Sequence, residues 1–143
     1  MAVSILIYLA GPLDDLEEGG DALTWREQLE NVRSDVALVS PQHAFIKASY
    51  ESAESVILAN RSMIYVSDGL LAYLDGGWPF GTIREIEYAK SLGKPVSVAS
   101  KRPPMSLASF DLTWNPTPQI ALDELLVEIG ALKMEMEHEY PGN

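Results

Sequence analysis

Thr82 and Glu85 sit three residues apart in the stretch Gly81-Thr82-Ile83-Arg84-Glu85-Ile86-Glu87-Tyr88-Ala89, and that spacing has two chemically distinct uses. In a capping box, Thr82 at the N-cap accepts from the backbone N–H three residues on, and Glu85 reaches back to the Thr82 N–H. As a reactive group, Glu85 stands in the first helical turn, where the helix dipole favours an ionised carboxylate able to attack an electrophilic carbon. The second use needs a crevice for the carboxylate to face. In an open α/β sheet such a crevice lies beyond the carboxyl ends of the strands, near the switch in strand order. That rule selects Gly11, Pro12, Asp14 and Asp15 after a first strand, Gln42 and His43 after a second, and Asp75, Gly76, Gly77 and Trp78 after a third.

The elements that must position these residues are legible as periodicities. Ser4-Ile5-Leu6-Ile7-Tyr8-Leu9-Ala10 is a nearly continuous apolar run ending at Gly11-Pro12, the pattern of a strand covered on both faces. An acidic loop follows, and Ala22, Trp25, Leu29 and Val32 then recur at helical spacing. Val36–Val39 is a second strand broken by Ser40-Pro41, and residues 51–67 have helical length with Val56, Ile57 and Ile64 on the apolar face. Residues 69–74 form a third strand, and a helix runs from Thr82 to about Leu92, with Gly93 as its C′ residue. Residues 95–99 form a fourth strand, residues 101–118 hold room for one more short strand, and Leu122, Leu125, Leu126 and Ile129 define a last helix. The acidic tail from Glu135 to Asn143 is expected to fray.

Strands alternating with helices require crossover connections, hence a parallel sheet between two helix layers. The expected architecture is a three-layer, doubly wound α/β domain of four or five strands in flavodoxin-like order, spanning residues 1–143 as one unit.

Composition removes several function classes. With 10 Lys+Arg against 21 Asp+Glu the formal net charge is −11, which disfavours nucleic-acid polymers and anionic membranes as partners. The absence of cysteine excludes disulfide scaffolds and thiol catalysis and points to the cytoplasm, and with only two histidines a metal site is not expected. Residues 3–9 are too short an apolar run to span a bilayer and carry no preceding basic residue, so the run is expected to be a strand, not a signal or anchor.

Three blocks together resemble the nucleoside 2-deoxyribosyltransferase family and its deoxynucleoside 5′-monophosphate N-glycosidase relatives. They are Ile7-Tyr8-Leu9-Ala10-Gly11-Pro12, Ser67-Asp68 through Leu74-Asp75-Gly76, and Gly81-Thr82 through Glu85-Ile86 and Tyr88-Ala89 to Gly93-Lys94-Pro95-Val96. The resemblance covers roughly residues 4–99, and its most specific element is the Gly-Thr-x-x-Glu-Ile-x-Tyr-Ala helix start behind a Leu-Asp-Gly strand end.

The resemblance implies a double displacement at the anomeric carbon of a 2′-deoxynucleoside, with Glu85 as nucleophile, no metal or organic cofactor, a free nucleobase as second substrate, and a homo-oligomeric enzyme. It implies that the Tyr8 phenol orients Glu85, and it puts Asp75 where the family carries the acid that protonates the leaving base; an ordinary strand aromatic and an Asp-Gly turn are the competing readings. Gly11 and Gly81 join the candidate substrate-binding set with Asn60, which stands where the family often has Asp, and Asn115, at the place where relatives lend an amide to the neighbouring subunit. Trp78 and Phe80 have faces that can stack on a base or close the top of the core. Pro79 departs from the family, which has Asp or Ser six residues before the catalytic glutamate, and a nucleoside is thereby favoured over a monophosphate. Two alternatives remain: a monophosphate N-hydrolase using Arg84, Lys101 or Arg102 as a phosphate cradle, and a non-catalytic sensor in which Glu85 is only a cap.

Overall fold

The computed structural model describes residues 4–11, 25–26, 29, 33–40, 53–74, 80–101 and 112–139. Five strands, β1 (Ile5–Ala10), β2 (Val36–Val39), β3 (Gly69–Tyr73), β4 (Val96–Ala99) and β5 (Thr113–Asn115), form one sheet in the order β2-β1-β3-β4-β5. Every neighbouring pair is parallel. Among the described residues they are accompanied by α1 (Ala53–Val66), α2 (Phe80–Ser91) and α3 (Pro118–Glu139), besides a short helical segment at Trp25–Arg26. This is the doubly wound flavodoxin-like order, whose reversal in strand sequence falls between β1 and β3. None of the described helices is long and apolar enough to cross a membrane.

The continuous apolar character of β1 has a direct cause, because the strand feeds two cores. Ile5, Ile7 and Leu9 pack with Leu71, Ala121, Leu122, Leu125 and Ile129 on the α3 face, joined there by Trp25 and Leu29. Tyr8 and Ala10 point the other way, into a cluster with Ile64 of α1, Ile86 and Ala89 of α2, and Leu70, Ala72, Val96 and Val98. Pairing Tyr8 with Val39 on one side and Leu70 on the other fixes its height in the sheet. A one-residue slip would move it to the opposite layer.

Several boundaries are set by local chemistry. The α2 C-terminus closes with Gly93 at φ 74°, and the Gly93 N–H donates to Lys90 O at 3.0 Å while the Lys94 N–H donates to Ala89 O at 3.1 Å. That double bond pattern is a Schellman cap. Helix α3 starts on Pro118 behind Thr117, whose hydroxyl accepts from the Ile120 N–H at 3.2 Å. At the amino edge of the sheet Asp68 is structural, as its position before β3 suggests: Oδ2 accepts from the Leu6 N–H at 2.8 Å, and Lys133 of α3 approaches Oδ1 at 3.8 Å.

The structure departs from the sequence reading at three points. Helix α2 begins at Phe80, two residues ahead of the expected Thr82, because a glycine such as Gly81 costs little in a first turn that has no i−4 bonds to lose. Ile57, expected on the apolar face of α1, is 41% exposed, and the inward face is carried by Asn60 and Ile64 one turn apart. The final helix does not fray at Glu135 but continues to Glu139.

Candidate active site

The start of α2 changes the status of Glu85. With Phe80 as the first helical residue, Thr82 lies inside the first turn and Glu85 in the second. The capping-box reading therefore fails, and the carboxylate is left with no role in ending the helix.

Glu85 is instead partly buried against β1, with its Oε2 oxygen enclosed and without a hydrogen-bond partner among the described residues. Its neighbour is the Tyr8 phenol, fully buried and likewise without a formed hydrogen bond. The two groups nevertheless lie close enough to perturb each other. Removal from water pushes the Glu85 carboxyl up to about 7, against the opposing pull of the Tyr8 phenol as a donor and of the Arg26 cation. Burial, then the Glu85 charge, holds the Tyr8 proton on well above the ordinary phenol range. Two neighbouring buried polar atoms without partners among the described residues are costly, and such a cost is retained where a ligand completes the bonding.

Arg26 was not among the residues singled out from the sequence. It follows Trp25 in a short helical segment and is 8% exposed. Its Nε donates to Ser40 Oγ, just beyond β2, at 2.7 Å, and its Cζ lies 4.5 Å over the Trp25 ring. Burial lowers its pKa to about 10, with Tyr8 and Glu85 acting to raise it, so it stays cationic at neutral pH. Trp25 in turn stacks on Tyr73 at 5.0 Å between centroids, 17° from parallel. The available signal was an arginine set beside a core tryptophan in an amphipathic repeat, and a snorkelling surface arginine gives the same pattern.

The other candidates fall as follows. Gly11 is buried at the β1 end, where an added Cβ would lie 2.7 Å from Trp25 Cζ2, so its missing side chain admits the indole. Asn60 is 8% exposed on the inward face of α1, with Oδ1 unpartnered among the described residues. Gly81 is exposed in the first turn of α2, and a Cβ there would meet nothing within 4 Å. Asn115 ends β5, buried, with its amide donating to Ser97 Oγ of the same chain at 3.1 Å. Phe80 contributes the first residue of α2. Asp75, Trp78, Pro79, His43, Asp14, Asp15 and Arg102 lie outside the described residues.

What is assembled at the β1/β3 switch point is a carboxyl group poised near neutrality, a phenol that keeps its proton, and a fixed guanidinium. A carboxylate so placed can act as a nucleophile toward a carbon electrophile or exchange a proton at physiological pH.

No family model and no curated protein matches the chain. Solved structures do. A conserved protein from Enterococcus faecalis V583 is 22% identical with a TM-score of 0.65, over 87% of this chain and 98% of that one. A 2-deoxyribosyltransferase from Leishmania mexicana is 22% identical with a TM-score of 0.55, over 80% of this chain and 76% of that one. The all-parallel sheet, its strand order and these neighbours establish that the chain has a nucleoside 2-deoxyribosyltransferase-like fold.

Proposed function

We propose that the protein is an enzyme that cleaves the N-glycosidic bond of 2′-deoxyribonucleosides and transfers the 2-deoxyribose to another nucleobase. The observation that carries this reading is the Glu85 carboxyl, excluded from the helix cap and enclosed beside Tyr8 with an oxygen that has no partner among the described residues. In the first step a Glu85 oxygen attacks C1′, the C1′–N bond breaks, and the electron pair departs on the base nitrogen, which takes a proton from Asp75. The product is a deoxyribosyl ester of Glu85. A nitrogen of the acceptor base then attacks C1′, releasing the carboxylate and returning the proton, with net retention at the anomeric carbon. Water in place of the acceptor gives free deoxyribose.

The remaining residues take supporting parts in this reading. Tyr8 holds the carboxylate in its attacking rotamer, Asn60 turns its Oδ1, which has no partner among the described residues, toward a sugar hydroxyl, and the open space over Gly81 admits the substrate at the helix start. Trp78 and Phe80 are the aromatic residues assigned to stack on the base, and Asn115, at the end of β5, is assigned to substrate binding. The reaction needs no metal or organic cofactor, since nucleophile and acid are side chains. The enzyme works in the cytoplasm as a homo-oligomer, for which exposed Leu58, Tyr65 and Val66 on α1 offer an apolar surface.

The test is chromatography of free bases and exchanged nucleosides after incubation with each deoxynucleoside, with and without an acceptor base, beside a Glu85→Ala control. Base exchange that disappears in the control is the expected result. Base release without exchange makes the protein a hydrolase, and release only from 5′-monophosphates makes it a nucleotide N-hydrolase. If neither nucleosides nor monophosphates turn over, the enzyme reading falls.

A further inference from the structure

A buried carboxylate meant to react as an anion must be kept ionised in a place that disfavours its charge. Tyr8 does part of this as a hydrogen-bond donor, but a phenol contributes a dipole and no net charge, and the second influence that favours the anion is a cation. The described residues around Glu85 offer few other groups. On its own helix Arg84 and Glu87 are exposed, and on α1 the guanidinium of Arg61 lies 5.3 Å over the Tyr88 ring. On β1 the group that acts on it is Tyr8, and the cation that acts on it is Arg26, bonded to Ser40 just beyond β2.

The attachment of Arg26 is unlike that of a surface arginine. Its guanidinium lies 4.5 Å over the Trp25 ring, and that ring stacks on Tyr73 of β3. The indole is locked laterally by Gly11 at the end of β1, where an added Cβ would stand 2.7 Å from it. The guanidinium plane is locked by the 2.7 Å bond to Ser40 beyond β2. Three strand ends thus fix one cation at the switch point. It comes from the layer that holds α3, whereas Tyr8 belongs to the layer that holds α1 and α2.

We propose that Arg26 is the positioning residue of the candidate nucleophile: the Tyr73–Trp25–Arg26 stack holds a cation over the carboxyl edge of β1, where it sustains the ionised form of Glu85. Its importance for turnover rests on Glu85 being the reacting carboxylate, while its effect on that carboxylate is measurable without any substrate. A cation has no favourable part in the chemical step itself, since the sugar becomes oxocarbenium-like and would be repelled. The effect of Arg26 is therefore confined to the fraction of Glu85 that is ionised. Loss of the cation should be recoverable by raising pH, which loss of structure is not.

The experiment is a 13C NMR titration of the Glu85 side-chain carboxyl, assigned by comparison with Glu85→Gln, in the wild type, Arg26→Gln, Arg26→Lys and Ser40→Ala. The wild-type midpoint is expected near the value of about 7 that burial sets. Arg26→Gln should raise it by about one unit or more, the size of a close opposite charge. Arg26→Lys should leave it within about half a unit, and Ser40→Ala, which keeps the charge but releases its anchor, should shift it less and in the same direction. Midpoints that do not move in Arg26→Gln and Ser40→Ala overturn the proposal. So does a pH–rate profile in which Arg26→Gln loses activity equally at acid and alkaline pH instead of regaining it as pH rises. If the midpoint shifts but no nucleoside is turned over, the positioning role stands and the proposed reaction falls.

Discussion

Glu85 sets a conflict between stability and reactivity that can be measured at a single side chain. Its pKa rises from 4.5 to about 7 on folding, so the native state binds its proton more tightly than the unfolded chain does. Below the unfolded value both states are protonated and nothing is lost; as pH climbs from 4.5 through 7, the native state must give up a stabilising proton, and above 7 the full penalty is present. Discounted for its partial exposure, that penalty is about 2–3 kcal/mol. Glu85→Gln should accordingly melt higher than the wild type at pH 8, with the difference shrinking toward pH 4.5, while activity disappears. The wild-type kcat/KM should rise with pH through an apparent pKa near 7, where the carboxylate becomes available. Thermal melts at the two pH values, paired with the rate profile, check both signs.

Among the elements, the short helical segment at Trp25–Arg26 does more than cover the sheet. Its indole stacks on Tyr73, contacts the Arg26 guanidinium through its face and abuts Gly11. Gly11→Ala brings a methyl group to 2.7 Å from Cζ2 of a ring with no room to swing, so it should destabilise by about 1–3 kcal/mol. It should also lift the Glu85 midpoint, because the guanidinium moves with the ring. Urea unfolding checks the first effect and the carboxyl titration the second. Much of this level was readable in advance. Strands β1, β2, β3 and β4 announce themselves as short apolar runs, β5 falls within the segment expected to hold one more strand, and Leu122, Leu125 and Ile129 mark the inward face of α3. The start of α2 was not, since a threonine and a glutamate three apart look the same whether they end a helix or lie within it. Arg26 escaped for a related reason: pattern reports which face is apolar, and a guanidinium bent back over its neighbour's ring breaks no pattern. Unpaired oxygens such as Asn60 Oδ1 and Glu85 Oε2 exist only as three-dimensional facts.

Across the molecule as a whole, a formal charge of −11 on 143 residues surrounds a site in which, among the described residues, the Arg26 cation acts on the Glu85 carboxylate. Self-repulsion among the surface carboxylates opposes the compact state at low ionic strength. Raising salt from about 10 mM to about 150 mM, which contracts the screening length from about 30 Å to about 8 Å, should raise the thermal midpoint at pH 8; a midpoint that falls would contradict this. The interaction of Arg26 with Glu85 runs between two largely buried groups and should titrate almost unchanged over the same range, as a comparison of carboxyl midpoints at the two salt concentrations would show.

The indole of Trp25 carries a further consequence. It stacks on the Tyr73 ring with a guanidinium over its face, 2% exposed, its Nε1 hydrogen unclaimed among the described residues. An excited indole is polarised along its rings and responds to any charge resting on its face. Displacement of the Arg26 side chain, by whatever enters the crevice, is therefore written into the colour of this residue's emission. The chain carries its own optical gauge of the electric field at its switch point.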